Sequence, residues 1–250
     1  MDLGRVRPDI QADETLDNLG WGELKLIQAK KGNRFSLDAV LLAHFVSGQK
    51  AKKLLDIGSG NGVLPLLLSF FMPKAEIYGI EIQPQLAERA QRNIAFNRLA
   101  SRINIYQGDI RDQEHEVYQN EYDLMVCNPP FFKVGEGVIS PNPELAISRH
   151  ELNLKLEDLL AAAQKLLPPT GKLAVIYRME RLEEMKKQLR LHQLFVLRLQ
   201  LVQSFSDQPA KLFLLECARQ EPVSPQELPA LVIYRTPGVY TEDIMRMIIA

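Results

Sequence analysis

The stretch with the most chemistry in it is Asp123-Leu124-Met125-Val126-Cys127-Asn128-Pro129-Pro130-Phe131-Phe132, an apolar run that stops at an Asn-Pro-Pro-aromatic corner. A short apolar run bounded by prolines reads as a buried strand that ends in a rigid loop. Pro129 and Pro130 have no backbone N–H and a fixed φ, so the corner offers carbonyl oxygens aimed by a stiff backbone. Asn128 adds a side-chain carbonyl, and Phe131 a flat ring on which a base could stack. Together Asn128, Pro129, Pro130 and Phe131 make a grip for a planar group carrying an NH2. Because proline commonly ends strands, a plain strand exit is the alternative, and the choice rests on what lies upstream.

Upstream, Asp56-Ile57-Gly58-Ser59-Gly60-Asn61-Gly62 is a strand-to-helix glycine loop, which lets a ligand approach the backbone closely. No Gly-Lys-Ser/Thr follows, which excludes a phosphate loop. A dinucleotide loop needs glycine where Val63 stands, and Asp56 would repel a pyrophosphate at that helix N-terminus. A cationic ligand is attracted instead. S-adenosylmethionine carries a sulfonium and an ammonium and no phosphate, so it suits this acidic loop, with Asp56, Gly58, Gly60, Asn61 and Gly62 as its contacts. Glu81, 25 residues beyond Asp56, ends the second strand and is placed to accept both ribose hydroxyls, as an acid does in nucleotide folds. Asp109, with Ile110 beside it, ends the third strand, where it could accept from the adenine amino group. Each feature alone has a bland account: a strand-end acid is commonly a turn residue, and Asp109 could cap the next segment. The order loop, acid, acid, Asn-Pro-Pro at four successive strand ends is much harder to assign to chance.

These residues need a sheet to align them, and the chain supplies the pattern for one. Strands are predicted at 53–57, 76–80, 102–107, 122–127, 172–177, 194–202 and 211–218, alternating with helices at 63–72, 84–97, 152–167 and 181–191. Such alternation predicts an α/β, doubly wound, largely parallel seven-stranded sheet with helices on both faces and ligands at the carboxyl ends. Ahead of it, Ser36 is a candidate N-cap for a helix whose Leu37, Val40, Leu41, His44 and Phe45 share a face. Residues 1–20 are polar and read as a mobile arm or loosely packed cap. Lys25, Lys30, Lys31 and Arg34 have no acid among them; such a run is usually a solvated face, and here it is also the best small basic patch and the candidate RNA contact. Beyond residue 221 come an apolar run at 231–234, a turn at Pro237-Gly238 and a final helix from Thr241. The expected organisation is one domain over 1–250, with 1–50 as an N-terminal cap and 221–250 as a C-terminal appendage.

Composition narrows the class. At 250 residues, 46% hydrophobic, the chain can bury a large single core, and a net charge of −1 gives no overall field toward nucleic acid or membrane. The most apolar run, Val63 to Met72, is too short to span a bilayer, and a cytoplasmic location is expected. Cys127 and Cys217 sit in apolar runs as buried hydrophobes, and the four histidines have no ligand-like spacing, so no metal site is expected.

In these residues the chain resembles the class I S-adenosylmethionine-dependent methyltransferases that modify amines, whose motif is Asn/Asp-Pro-Pro-aromatic. It is most similar to the bacterial family that methylates N6 of the adenine next to the anticodon in a valine tRNA. That resemblance covers most of the chain and includes Arg34-Phe35-Ser36-Leu37-Asp38-Ala39, Arg149-His150-Glu151 and Gly238-Val239-Tyr240-Thr241. It implies a seven-stranded sheet with an antiparallel last strand, Phe35 and Asp38 near the methionine end of the cofactor, and an RNA substrate. Phe131 departs from the tyrosine usual in adenine-specific motifs; Asn-Pro-Pro-Phe also occurs in guanine-N2 enzymes of ribosomal RNA. A protein-glutamine methyltransferase and a noncatalytic RNA-binding protein with a relict fold are the other readings. The first needs an N-terminal helical domain that about 50 residues hardly supply; intact Asp56, Glu81, Asp109 and Asn128 speak against the second.

Overall fold

A computed structural model describes residues 9–31, 34–129 and 154–248. Its centre is an eight-stranded sheet. In chain order the elements are β1 (Glu14–Asn18), β2 (Lys25–Ala29), α1 (Leu37–Val46), β3 (Lys53–Ile57), α2 (Val63–Phe71), β4 (Glu76–Glu81), α3 (Pro84–Phe96), β5 (Ile103–Gln107) and β6 (Leu124–Cys127). There follow α4 (Leu156–Leu166), β7 (Lys172–Arg178), α5 (Leu182–Leu191), β8 (Phe195–Gln203), β9 (Ala210–Ala218), β10 (Gln226–Val232), β11 (Tyr234–Thr236), β12 (Val239–Tyr240) and α6 (Glu242–Ile248).

The sheet order is β10-β8-β9-β7-β6-β3-β4-β5. Strands β5, β4, β3, β6 and β7 run parallel, and β9 is antiparallel to both β7 and β8. All seven expected strands are present, and the last of them, β9, is the antiparallel one. The eighth, β10, pairs parallel to β8 along the sheet's edge. Its pattern is broken by Pro229, which donates no ladder hydrogen bond; the register shifts between Leu228 and Leu231, and such a residue is tolerated only on an edge strand.

Central strands are buried on both faces, and their alternate side chains feed two cores. Leu54, Leu124 and Val126 join α1, α2, α3 and α6 on one side; Leu55, Met125 and Cys127 join α4 and α5 on the other. Ser36 stands at the N-cap of α1 without a side-chain capping bond, so burial of seven helix residues, not the cap, holds α1 in place.

The expectation of a mobile or loosely packed segment over 1–20 is corrected for its described part. Residues 14–29 form the β1–β2 hairpin, whose turn buries Leu19 and Trp21. Gly20 is in the left-handed region (φ 88°), and a Cβ there would stand 2.9 Å from the Ile248 carbonyl oxygen. Polarity concealed this burial because Glu14 is buried as an ion-pair partner of two α3 arginines. At the other terminus, a His44 ring nitrogen lies 2.8 Å from the Met247 carbonyl oxygen, and Ile244 is fully buried, joining α6 to α1.

Candidate cofactor and catalytic site

From β3 the chain builds outward in one direction through β4 and β5, then returns to β6 and builds in the other. Such a reversal leaves a crevice at the carboxyl ends of the two central strands, where doubly wound sheets hold ligands. In this chain those strands are β3 and β6. Ile57 pairs with Cys127, so Gly58 and Asn128 leave the sheet side by side on strands about 5 Å apart. The Cys127 thiol donates to the Ile57 carbonyl at 3.1 Å, and burial raises its pKa well above the ordinary thiol value, so it stays protonated as a cross-strand tie. Asn128 is half-buried and Pro129 buried. Pro130 and Phe131 lie outside the described residues, as does Arg149-His150-Glu151.

The loop after β3 turns on three glycines with positive φ: Gly58 (77°), Gly60 (54°) and Gly62 (81°). They serve different purposes. Among the described residues a Cβ on Gly58 would meet nothing within 4 Å, which leaves open room at the crevice, whereas one on Gly62 would press on Ala90 of α3 at 3.2 Å. Glu81, at the end of β4, accepts from the Gly60 N–H at 2.8 Å and the Gln83 N–H at 2.9 Å. Its carboxylate is thereby fixed against the loop.

Asp56 is fully buried, and among the described residues neither carboxylate oxygen has a hydrogen-bond partner. The Ser59 hydroxyl beside it donates to the Asp56 main-chain carbonyl at 3.1 Å. Burial, reinforced by the Glu81 charge, pushes the Asp56 pKa up to about 7. A buried carboxylate without partners is costly as an anion and is relieved by a nearby cation. The open space at Gly58, the fixed Glu81 and the orphaned Asp56 therefore fit S-adenosylmethionine, which is cationic and carries ribose hydroxyls. In the ligand-free protein the raised pKa lowers stability as pH rises from about 3.8 to about 7, because the folded state holds the proton that the unfolded state has released. Asp56→Asn is thus expected to raise the melting temperature of the ligand-free chain at pH 8 while weakening cofactor binding at least tenfold. Thermal scans and calorimetry on one preparation measure both.

Other predicted contacts sit differently. Asn61 is buried and turned into the protein: its Oδ1 accepts from Arg89 Nη1 at 3.0 Å, and its carbonyl accepts from Asn93 Nδ2 at 2.9 Å. It clamps the loop to α3. Asp109 accepts from the Arg111 backbone N–H and pairs with the Arg111 guanidinium, which lowers its pKa. An adenine amine reaches Asp109 only if Arg111 yields an oxygen. The side chain of Ile110 is core, packed with Val117 and Tyr122 in the second cluster. Phe35 packs partly against the first core, and its N–H donates to Gln28 Oε1 at 3.1 Å. Asp38 is in the first turn of α1, where burial raises its pKa.

Sequence reasoning missed the residues that hold the loop. Asn93 exchanges both side-chain hydrogen bonds with the Ile27 backbone while reaching Asn61, and Arg89 bridges Asn61 to Glu14. The available signal was a pair of polar residues, Arg89 and Asn93, at i and i+4 within the buried stripe of α3. The basic patch also changes character. Arg34 pairs with Asp17 at 3.0 Å and Lys30 donates to the Ala12 carbonyl, so two of its four charges are already engaged by the hairpin; Lys25 and Lys31 are exposed.

Residues 33–198 match the family model of the methyltransferase small domain, and the chain belongs to that family. It is an S-adenosylmethionine-dependent N-methyltransferase. More particular likenesses come from relatives named tRNA1(Val) (adenine(37)-N6)-methyltransferase. The one from Porphyromonas gingivalis is 33% identical over 86% of this chain and 86% of its own. That from Yersinia enterocolitica is 32% identical over 84% and 82%. Among solved structures, a predicted O-methyltransferase from Agrobacterium tumefaciens matches with TM-score 0.66 and 18% identity over 84% of this chain and 94% of that one. TrmN from Thermus thermophilus matches with TM-score 0.54 and 19% identity over 73% and 48%. These structures share the fold. Among the described residues no helix is long and apolar enough to cross a membrane, and no group of three or more side chains could hold a metal.

Proposed function

We propose that this chain methylates the exocyclic N6 amine of an adenine in tRNA, at the position 37 named for its relatives. The observation that carries the reading is the placement of Asn128 beside Gly58 at the reversal of strand order, an acceptor corner next to an acidic loop with room for a ligand. S-adenosylmethionine supplies a methyl group on a sulfonium, an electrophile that needs no further activation. The chain's own task is the amine, whose lone pair is delocalised into the adenine ring. Asn128 Oδ1 and the Pro129 carbonyl accept its two hydrogens, drawing the nitrogen toward tetrahedral geometry. As the nitrogen takes the methyl group and becomes cationic, these fixed oxygen dipoles stabilise the charge without reorganising, and the amine then releases one hydrogen as a proton to solvent. Phe131 stacks on a base turned out of its loop, the manner in which proteins read unpaired RNA. Asp56 opposes the donor's positive charge, and Glu81 accepts from its ribose.

The test is incubation with labelled S-adenosylmethionine and bacterial RNA fractionated by size, followed by nucleoside analysis. N6-methyladenosine in the tRNA fraction is expected. N2-methylguanosine, or label confined to ribosomal RNA, would overturn the substrate assignment.

A further inference from the structure

We propose that the substrate RNA docks on a cleft at the carboxyl ends of β7 and β8 and the amino end of the antiparallel β9 between them, flanked by an aromatic ladder, and that nucleotides near the target adenine stack there. This rests on the reading that the substrate is tRNA. The cleft encloses about 700 Å³ and is lined by Arg178, Met179, Ser204, Lys211 and Ile233, with Glu180 as its acid. Register puts it on the same rim as the catalytic corner. Cys127 pairs with Val175, so β7 runs three residues beyond β6 to reach Arg178; Arg178 pairs with Leu212, and Val202 pairs with the same Leu212. The ladder follows β8 and β10, three and four strand spacings, about 15 to 20 Å, from β6, a distance that a few nucleotides of a single strand can bridge.

Chemistry selects the occupant. Phe205 directly follows the cleft residue Ser204, and Tyr234 follows Ile233. The rings of Phe205 and Tyr234 are 5.7 Å apart, and Tyr234 stacks on Tyr240 at 5.2 Å with planes 14° apart. All three are half-buried, with part of each side chain open to solvent. Backbone bonds hold the ladder to the rim: the Ile233 N–H donates to Gln203 and the Tyr234 N–H to Ser204, each at 2.9 Å. Gly238, at φ 78°, closes the β11–β12 turn, and the Thr241 hydroxyl donates to the Val232 carbonyl at 2.7 Å, so Gly238-Val239-Tyr240-Thr241 exists in this fold to present Tyr240 to Tyr234. Lys211 is exposed at the cleft mouth. Arg178, at the same mouth, pairs with the exposed Glu180 at 3.0 Å. Partly exposed aromatic faces beside cations are what unpaired nucleotides bind: each base has a π-face to stack and each phosphate a charge to neutralise. In the chain as a whole, with net charge −1, such a local surface is the only kind that can supply the attraction.

The experiment measures steady-state methylation of tRNA and tRNA binding at several salt concentrations, using the full chain, Lys211→Glu, and the double variant Phe205→Leu/Tyr234→Leu. Expected is a KM for tRNA raised about tenfold in each variant, with KM for S-adenosylmethionine unchanged and kcat at saturating tRNA within about twofold. Lys211→Glu should also flatten the salt dependence of binding. Ultraviolet crosslinks from tRNA should map to residues 203–212 and 233–240. Unchanged tRNA KM in Lys211→Glu, together with crosslinks elsewhere, would overturn the docking surface while parent activity on tRNA left the function intact. If the double variant unfolds, the exposed Lys211→Glu and the crosslink map decide. A parent chain that methylates no tRNA removes the reading beneath this one, and the docking surface with it.

Discussion

Asn128→Ala loses methyl transfer by about 10²- to 10³-fold yet binds S-adenosylmethionine as the parent does. The loss is large because alanine removes an acceptor whose benefit is greatest where positive charge develops on nitrogen, in a crevice with little water to replace it. Binding is preserved because the elements that fit the donor, Asp56, Glu81 and the open space at Gly58, belong to β3, β4 and the loop between β3 and α2. Calorimetry for the cofactor and single-turnover methylation of tRNA separate the two. Turnover within tenfold of the parent would remove the acceptor role of Asn128. Asn128→Asp is the informative companion: it keeps an oxygen in place but adds a full negative charge beside Asp56 and Glu81.

Glu14→Ala is expected to lower stability by about 3 to 5 kcal/mol, and the melting temperature by about 10 °C. Glu14 Oε1 lies 2.7 Å from both Arg89 Nε and Arg92 Nη2, and its Oε2 accepts from Arg92 Nη1 and the Gln11 N–H. Its side chain is fully buried, and its removal takes a buried counter-charge from two poorly exposed guanidiniums, of which Arg92 keeps its pair with Glu88. Hydrogen bonding from Arg92 holds the Glu14 pKa down at about 2 against an ordinary 4.5. With the folded value depressed, the stabilisation is fully present above pH 4.5 and disappears as pH falls toward 2. The alanine variant therefore loses that part of the acid limb of the stability curve, which unfolding at several pH values measures. A second consequence links this hairpin to chemistry. Arg89 also holds Asn61, so the variant should bind S-adenosylmethionine more weakly even at temperatures where it is folded. Unchanged affinity would show that the glycine loop keeps its shape without β1.

By itself, the sequence determined the elements whose residues interact locally. Strand-helix alternation named all seven strands from 53 to 218 to within about two residues, since a strand buried on both faces, such as Leu124–Cys127, reads as a continuous apolar run. It also singled out Asp56, Glu81 and Asn128, because an acid or an Asn-Pro-Pro corner after an apolar run is a local pattern. Tertiary structure alone decided which of these meet. The register Ile57 to Cys127 brings together residues 70 apart, and no local rule specifies a parallel pairing across such a separation. It decided too that Asn61 faces α3, that Asp109 is taken by Arg111, and that Glu14 at the start of the polar β1 is buried, each through a partner distant along the chain or a side-chain direction that composition does not encode. Pro229 disguised β10 because only its place at the edge of the sheet makes a missing N–H harmless.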